Sequence, residues 1–389
     1  VRIFLVVLDG VGAGALPDAD AYGDLGSCTL GNLSRAVPHM RLPALQRLGL
    51  GSIVDMPGVP PHPRPSASFG RMLEMSPGKD SVTGHWEMMG VVLQRPFPTY
   101  PHGFPPEVLQ PFEQKIGRRV LGNIPASGTR ILEELGEEHV RTGRPILYTS
   151  ADSVFQLACH EEVVPLDELY RWCRTAREML TGEHAVGRVI ARPFVGTHGT
   201  WKRTEARRDF PLSPPHNCLD TLCEAGVRVH AVGKIPEFFN SRGIHSADNT
   251  TNNPDHISAL LAALNRTDYG LLFANLEDFD MLYGHRNDCA GFADALMCFD
   301  AALPAFLEGM QPDDLLILTN DHGNDPTTPS TDHSREYAFL LAFTPSRAVG
   351  TDLGIRGSFS DISATLREAF GLAPGAHGAS FWGSVSPLP

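Results

Sequence analysis

IFLVVLD, residues 3–9, is an apolar run rich in β-branched side chains that ends abruptly in Asp9. A run of strand length and this uniformly apolar reads as a buried strand, with the acid placed where the strand emerges. The pattern returns along the chain at residues 145–148 (PILY), 188–191 (RVIA), 227–232 (VRVHAV), 270–274 (GLLFA), 315–318 (LLIL) and 338–343 (AFLLAF). Helical patterns lie between these runs. Over 165–180, Leu166, Leu169, Tyr170, Cys173, Ala176 and Leu180 fall on one face. Over 360–370, Ile362, Leu366 and Phe370 do the same, and Ser360 or Asp361 offers a cap at the start. Buried strand alternating with helix indicates an α/β fold, with a largely parallel sheet flanked by helices.

Two Pro-rich stretches interrupt this rhythm, PFPTYPHGFPP at 96–106 and FPLSPP at 210–215. Linkers that bracket a segment of domain size suggest an inserted domain whose entry and exit lie close together. The expected organisation is a core of 1–95 and 215–389 with an insertion at 96–214. The plainer alternative is two surface loops within one larger domain.

The 389 residues and 42% hydrophobic content leave room for two or three domains with real cores. No run approaches the roughly 18 consecutive apolar residues of a membrane span, and the opening strand lacks a signal peptide's cleavage pattern. The seven cysteines are odd in number, scattered and never paired as C-x-x-C. They read as free thiols of a reducing compartment, so a cytoplasmic protein without a membrane partner is expected. A net charge of −13 argues against nucleic acid as a partner. Against that balance, Arg188, Arg192, Lys202, Arg203, Arg207 and Arg208 crowd one stretch, opposed by Glu205 and Asp209. Such a stretch is commonly a solvated face, and it gains meaning if an anion binds nearby.

Three strand ends carry one chemical signature. The first runs into Asp9; 270–275 leads into Asp280 and His285; 315–319 leads into Asp321 and His322, with His333 returning eleven positions later. Functional groups of open α/β sheets collect outside the carboxyl ends of the strands. Each acid taken alone is a plain turn or N-cap residue, and each imidazole a hydrogen-bonded side chain. Three carboxylates and three imidazoles without a thiolate suit a pair of divalent cations, Mn²⁺ or Zn²⁺ better than Ca²⁺. Such a pair can grip both oxygens of a phosphoryl displacement.

PGKDSVTGHWEMMG, residues 77–90, offers hydroxyls at Ser81 and Thr83. A serine is a weak nucleophile until a base or metal lowers its pKa. The structural alternative is a helix start, with Asp80 or Ser81 capping the residues up to Met89. Both hold together, because a hydroxyl at a helix N-terminus sees N–H groups suited to phosphate.

On these residues the chain resembles the phosphopentomutase family of the alkaline phosphatase superfamily. The resemblance runs through IFLVVLDGVGAG, GKDSVTGHWEMMG, GNIPASGTRILEELG, YTSADSVFQLACHEEVVPLDELY, GRVIARPFVG, DFDMLYGHR and LTNDHGNDPTTPSTDHSREY. The last of these alone would mark only the superfamily, and the middle stretches narrow it to the mutase. It implies an alkaline-phosphatase-like core with an inserted, smaller α/β cap domain. It also implies two Mn²⁺ ions, one held by Asp9, Asp321, His322 and the nucleophile oxygen, the other by Asp280, His285 and His333. The nucleophile position is Ser81, where the family commonly has threonine, so the hydroxyl is kept and the stiffening methyl is lost. Thr83 is the alternative. Substrate contacts fall on Ser150, Val154, Arg188, Ile190 and Arg203, with Lys234 on the core, and Asp152 is a cap-core or sugar contact.

The activity implied is interconversion of α-D-ribose 1-phosphate and ribose 5-phosphate, and of the 2-deoxy forms, as in nucleoside salvage. It would run through a phosphoserine and a 1,5-bisphosphate, primed by a sugar bisphosphate such as ribose 1,5-bisphosphate or glucose 1,6-bisphosphate. The partners expected are pentose phosphates, and a monomer is expected. A metal-dependent phosphomonoesterase or a phosphoglycerate mutase on the same core shares the six ligands and is separated by an acceptor assay. A non-catalytic sugar-phosphate sensor would never form a phosphoserine.

Overall fold

The run that opens the chain is a strand, Ile3–Leu8, with every side chain buried. In a computed structural model, which describes residues 1–150 and 152–387, the chain divides into two units. One comprises the segments up to Arg95 and from Pro214 onward; the other is Pro96–Ser213. The residues up to Arg95 supply β1 (Ile3–Leu8) and β2 (Ser68–Met72). The second unit supplies β3 (Leu121–Pro125), β4 (Ile146–Thr149), β5 (Val154–His160), β6 (Arg188–Val195), β7 (Lys202–Arg203) and β8 (Arg208–Pro211). The remainder supplies β9 (Val229–Val232), β10 (Ser246–Asp248), β11 (Leu271–Leu276), β12 (Leu315–Thr319), β13 (Ala338–Phe343) and β14 (Asp352–Arg356).

The first unit is built on an eight-stranded sheet in the order β10-β9-β11-β1-β12-β13-β2-β14. Its strands are parallel except β13, which runs against both neighbours. Parallel strands covered on both faces carry continuous apolar runs, which is why β1, β11 and β12 are buried throughout. The central three lie in register, Leu8 opposite Leu276 and Val7 opposite Thr319. The chain therefore leaves all three at one edge, and the polar residues that follow are delivered side by side.

The helix Cys289–Gly309 sets Phe292, Leu296, Phe299, Leu303 and Phe306 into the core beside Phe4 and Leu316. By length and composition it could cross a membrane, yet 44% of that stretch is buried inside the protein. The phenylalanines and leucines on that face are already covered by the sheet.

In the second unit β3-β4-β5-β6-β7 form a sheet, and β8 also pairs with β6. Helices cover both faces. Ile131 and Leu132 of Gly128–Thr142 pack on Ile146, Tyr148, Ala158 and Phe194. On the other face, Phe112 of Pro106–Ile116 and Leu169, Trp172 and Cys173 of Leu166–Met179 pack on Leu147, Phe155, Leu157 and Val189.

Candidate metal centre

The edge where β11, β1 and β12 end gathers the acids. Asp9 Oδ2 accepts from Asn275 Nδ2 at 2.9 Å, and Asp321 Oδ1 accepts from the Gly10 amide at 3.1 Å. Gly10 turns the chain after β1 with φ +75°, and a Cβ there would stand 3.1 Å from Asn324 Cβ and 3.2 Å from Asp280 Cβ. The turn therefore requires glycine on both conformational and steric grounds. Asp280 follows β11 by four residues, and its Oδ1 accepts from Asn324 Nδ2 at 2.6 Å.

The three imidazoles share one orientation. His285 Nδ1 donates to the Thr331 carbonyl (2.7 Å), His322 Nδ1 to that of Gly323 (3.0 Å) and His333 Nδ1 to that of Lys79 (2.9 Å). A carbonyl can only accept, so each Nδ1 carries a proton, which leaves Nε2 as the atom that can ligate once it is deprotonated. Those Nε2 atoms face the acids. His322 lies 3.2 Å from Asp9 and 3.4 Å from Asp321, while His285 and His333 lie 3.1 and 3.2 Å from the two oxygens of Asp280. His322 and His333 stack with ring centres 3.8 Å apart.

Ligand atoms of Asp9, Asp321 and His322 lie within 4.8 Å of one another, as do those of Asp280, His322 and His333. His322 thus belongs to both groups, whereas the sequence expectation assigned it to one. His285 lies outside these groups but reaches the second through Asp280 at 3.1 Å and packs against His333 with ring centres 4.9 Å apart. The donor set fits divalent cations on a further observation. Asp9 Oδ1, Asp321 Oδ2 and His333 Nε2 are buried with no hydrogen-bond partner, although each lies near an imidazole or carboxylate. The short separations lack hydrogen-bond alignment, and each atom left so costs about 1–3 kcal/mol. Coordination of a cation would offset that cost.

The charges are strongly coupled. Burial pushes the Asp9 carboxyl up, and the neighbouring Asp321 adds to the effect. Burial also opposes ionisation of Asp280, but His333 and His285 hold it well below the usual carboxylate range. His285 in turn rises to about 9, chiefly through its hydrogen bond to Asp280.

Ser81 opens the helix Ser81–Met88, and Asp80 caps it by accepting from the Thr83 amide at 3.0 Å. The helix passes close to the chain just after β12: a Cβ on Gly84 would collide with the Asp321 carbonyl. Ser81 Oγ stands 3.0 Å from His322 Nε2, at the junction of the two ligand groups. Thr83 is buried, and its hydroxyl is taken by Asp80 Oδ2 at 2.6 Å. Lys234 follows β9, half-buried, with Nζ 3.4 Å from the sulfur of Met281.

In the second unit, Ser150, Asp152, Val154, Arg188, Ile190 and Arg203 line one cavity of ≈ 200 Å³. Its floor is a face of the sheet. Val154 pairs with Arg188 and Gln156 with Ile190, and alternate residues share a face. Asp152 is exposed at the cavity, and its amide donates to Ser150 Oγ at 3.3 Å.

The metalloenzyme superfamily model matches residues 1–374. The phosphopentomutase of Carboxydothermus hydrogenoformans is 55% identical over 99% of this chain and 99% of its own. That of Anaeromyxobacter sp. (strain K) is 56% identical over 99% of each chain. That of Caldanaerobacter subterraneus subsp. tengcongensis is 53% identical over 98% of this chain and 97% of its own. The chain belongs to the phosphopentomutase family. It is an isomerase on the alkaline-phosphatase-like α/β core described above.

Sequence reasoning missed several residues that touch the site of this phosphopentomutase relative. His85 Nδ1 lies 2.7 Å from the Ser81 carbonyl and 3.3 Å from Asp321 Oδ2, tying the Ser81 helix to Asp321. Asn275 and Asn324 each orient one carboxylate. His85 sits four residues after Ser81, one helical turn on, and that spacing was the available signal. The asparagines had none, since their roles depend on how adjacent strands align.

Proposed function

We propose that the chain interconverts α-D-ribose 1-phosphate and D-ribose 5-phosphate, and the 2-deoxy forms, by exchanging phosphoryl groups through Ser81. The observation that carries this reading is the place of Ser81 Oγ, 3.0 Å from the imidazole shared by both ligand groups. Asp9, Asp321 and His322 would hold one Mn²⁺ beside that oxygen, and Asp280, His285 and His333 the other. Bound there, the cations supply the positive charge that ionises a serine hydroxyl and spreads over transferring phosphoryl oxygens.

The chain's own residues provide position. The Asp80 cap and His85 fix the start of the nucleophile helix. Phosphorylated Ser81 gives its phosphoryl group to the free hydroxyl of the sugar phosphate, forming the 1,5-bisphosphate. The sugar then turns, and its other phosphate returns to Ser81. Arg188 and Arg203, with Ser150, Val154 and Ile190, grip the phosphate that is not being transferred, a guanidinium fork being suited to a dianion. Lys234 adds a cation from the core, and Asp152 orients the sugar. A sugar bisphosphate of the ribose 1,5- or glucose 1,6-type primes the resting serine. All seven cysteines are free, which supports a cytoplasmic setting.

Phosphorus NMR tests the reading. With Mn²⁺ and a trace of sugar bisphosphate, ribose 1-phosphate should convert to ribose 5-phosphate without accumulating inorganic phosphate. Release of inorganic phosphate as the sole product would make the protein a phosphomonoesterase instead.

A further inference from the structure

The cavity of the second unit holds more positive charge than its expected contacts use. Alternation along β6 carries Arg188, Ile190 and Arg192 onto one face, and all three line the cavity. Arg207 enters from the segment before β8, and its Nε and Nη2 donate to the two oxygens of Asp209 at 2.8 Å each. The same carboxylate stands 3.7 Å from Arg188. Asp209 is thus shared by two guanidiniums. Among the described residues, Arg192 has no carboxylate within 4.0 Å. Its Nε donates to Gln156 Oε1 at 3.1 Å, a neutral acceptor on the adjacent strand that is itself buried.

This arrangement is unfavourable for the protein alone. Arg192 is half-buried, and burial, then Arg207 and Arg203, push its guanidinium pKa down. A buried cation among like charges is ordinarily relieved by a carboxylate. Here Gln156 fixes the direction of the guanidinium without neutralising it, so its charge remains for something that enters the cavity.

We propose that Arg192, aimed by Gln156, is a further ligand for the substrate's phosphate dianion and a determinant of the cavity's affinity for it. The proposal rests on the reading of this cavity as the phosphate grip. Arg203, exposed and reaching Thr129 Oγ1 at 3.4 Å, closes over the anion from β7. Arg192 meets it from the floor.

The test uses the full chain as a Ser81→Ala variant loaded with Mn²⁺, so that binding is read without turnover. Ribose 5-phosphate and inorganic phosphate are each titrated by calorimetry, with and without Arg192→Ala. Loss of a charge-assisted pair should weaken both by about 10- to 100-fold. Arg192→Lys should recover part of the loss, and Gln156→Ala should weaken both more mildly. The melting temperature of the ligand-free variant should not fall, since a repulsive charge has been removed. Affinities within twofold of the parent, or a lowered melting temperature with affinity intact, would overturn the proposal and leave Arg192 a structural residue. If the parent takes inorganic phosphate but no ribose 5-phosphate, the mutase reading fails while the phosphate titration still decides the role of Arg192.

Discussion

His333 donates through Nδ1 to the backbone carbonyl of Lys79, 2.9 Å away. The last imidazole to reach the candidate metal centre is thereby tied to the loop that delivers Ser81 two residues later. Arg335 reinforces the tie, donating to the carbonyls of Glu74, Ser76 and Gly78 at 2.9, 2.8 and 2.7 Å. The buried Glu74 and the flanking Asp18 balance its charge, at 2.6 and 3.0 Å. The loop before the proposed nucleophile and the loop of the proposed ligand His333 are one assembly, as in-line transfer through Ser81 would demand, because a misplacement of about 1 Å can cost about 10²-fold in rate.

Ser81→Ala removes the hydroxyl that stands 3.0 Å from His322 at the junction of the ligand groups. Turnover should fall below detection, while metal content and melting temperature stay near the parent's, because the six donors are untouched. Ser81→Thr should remain active, since the helix start has only to accept a methyl group. Full activity of the alanine variant would transfer the role to Thr83, despite its bond to Asp80.

Asp280→Ala removes the carboxylate that faces His285 and His333 and accepts from Asn324. Elemental analysis should find one cation lost of two, with activity down by at least about 10²-fold, in the range seen when metal-site support is lost. Unchanged stoichiometry would exclude Asp280 as a ligand.

Glu87 is fully buried in the nucleophile helix. It accepts from the amides of Met75 (2.9 Å), Ser76 (2.6 Å) and Phe359 (3.1 Å) and from Ser358 Oγ (2.8 Å). Glu87→Ala would orphan these donors together and should destabilise the first unit by roughly 3 kcal/mol or more. Glu87→Gln, which keeps one acceptor oxygen, should lose less. Urea unfolding of the two variants makes the comparison, and equal losses would mean that packing rather than hydrogen bonding holds the helix.

What could be read from the sequence follows from burial. β1 and β13 are continuous apolar runs and were legible to the residue, as 3–8 and 338–343. The run at 227–232 begins two residues before β9, because Val227 and Arg228 precede the pairing. β2 (SFGRM) and β14 (DLGIR) were missed: one is buried only at alternate positions, and the other is a largely exposed edge strand containing glycine. β5 was hidden because Gln156 and His160 break its apolar run, although both are buried. The acids and imidazoles proposed as ligands could be singled out in the sequence because parallel strands bring their ends to one edge, and the structure does gather them there. The contacts that aim them were not legible, since the carbonyls of Thr331, Gly323 and Lys79 carry no trace in side-chain identity. Arg192 was visible within a basic stretch, but its lack of a carboxylate shows only in three dimensions.

Metal binding should release protons, and the sign follows from the imidazoles. His285 titrates near 9 because Asp280 favours its charged form, and His322 is raised well above the usual imidazole range by Asp321 against the opposing effect of burial. In protein stripped of metal, His285 is protonated below about 9 and the surroundings of His322 favour its charged form, whereas a ligating Nε2 must be neutral. Cation affinity should therefore climb with pH and level off above about 9 for the site that His285 completes. Calorimetry of Mn²⁺ binding at pH 7.5 in buffers of different ionisation enthalpy should show at least about one proton released per protein, and fewer at pH 9.5. In Asp280→Asn protein, His285 loses the partner that raises it, and its share of the release at pH 7.5 should vanish. Heats independent of buffer would mean that these rings are already neutral, and that the carboxylates rather than the imidazoles set the pH dependence of the centre.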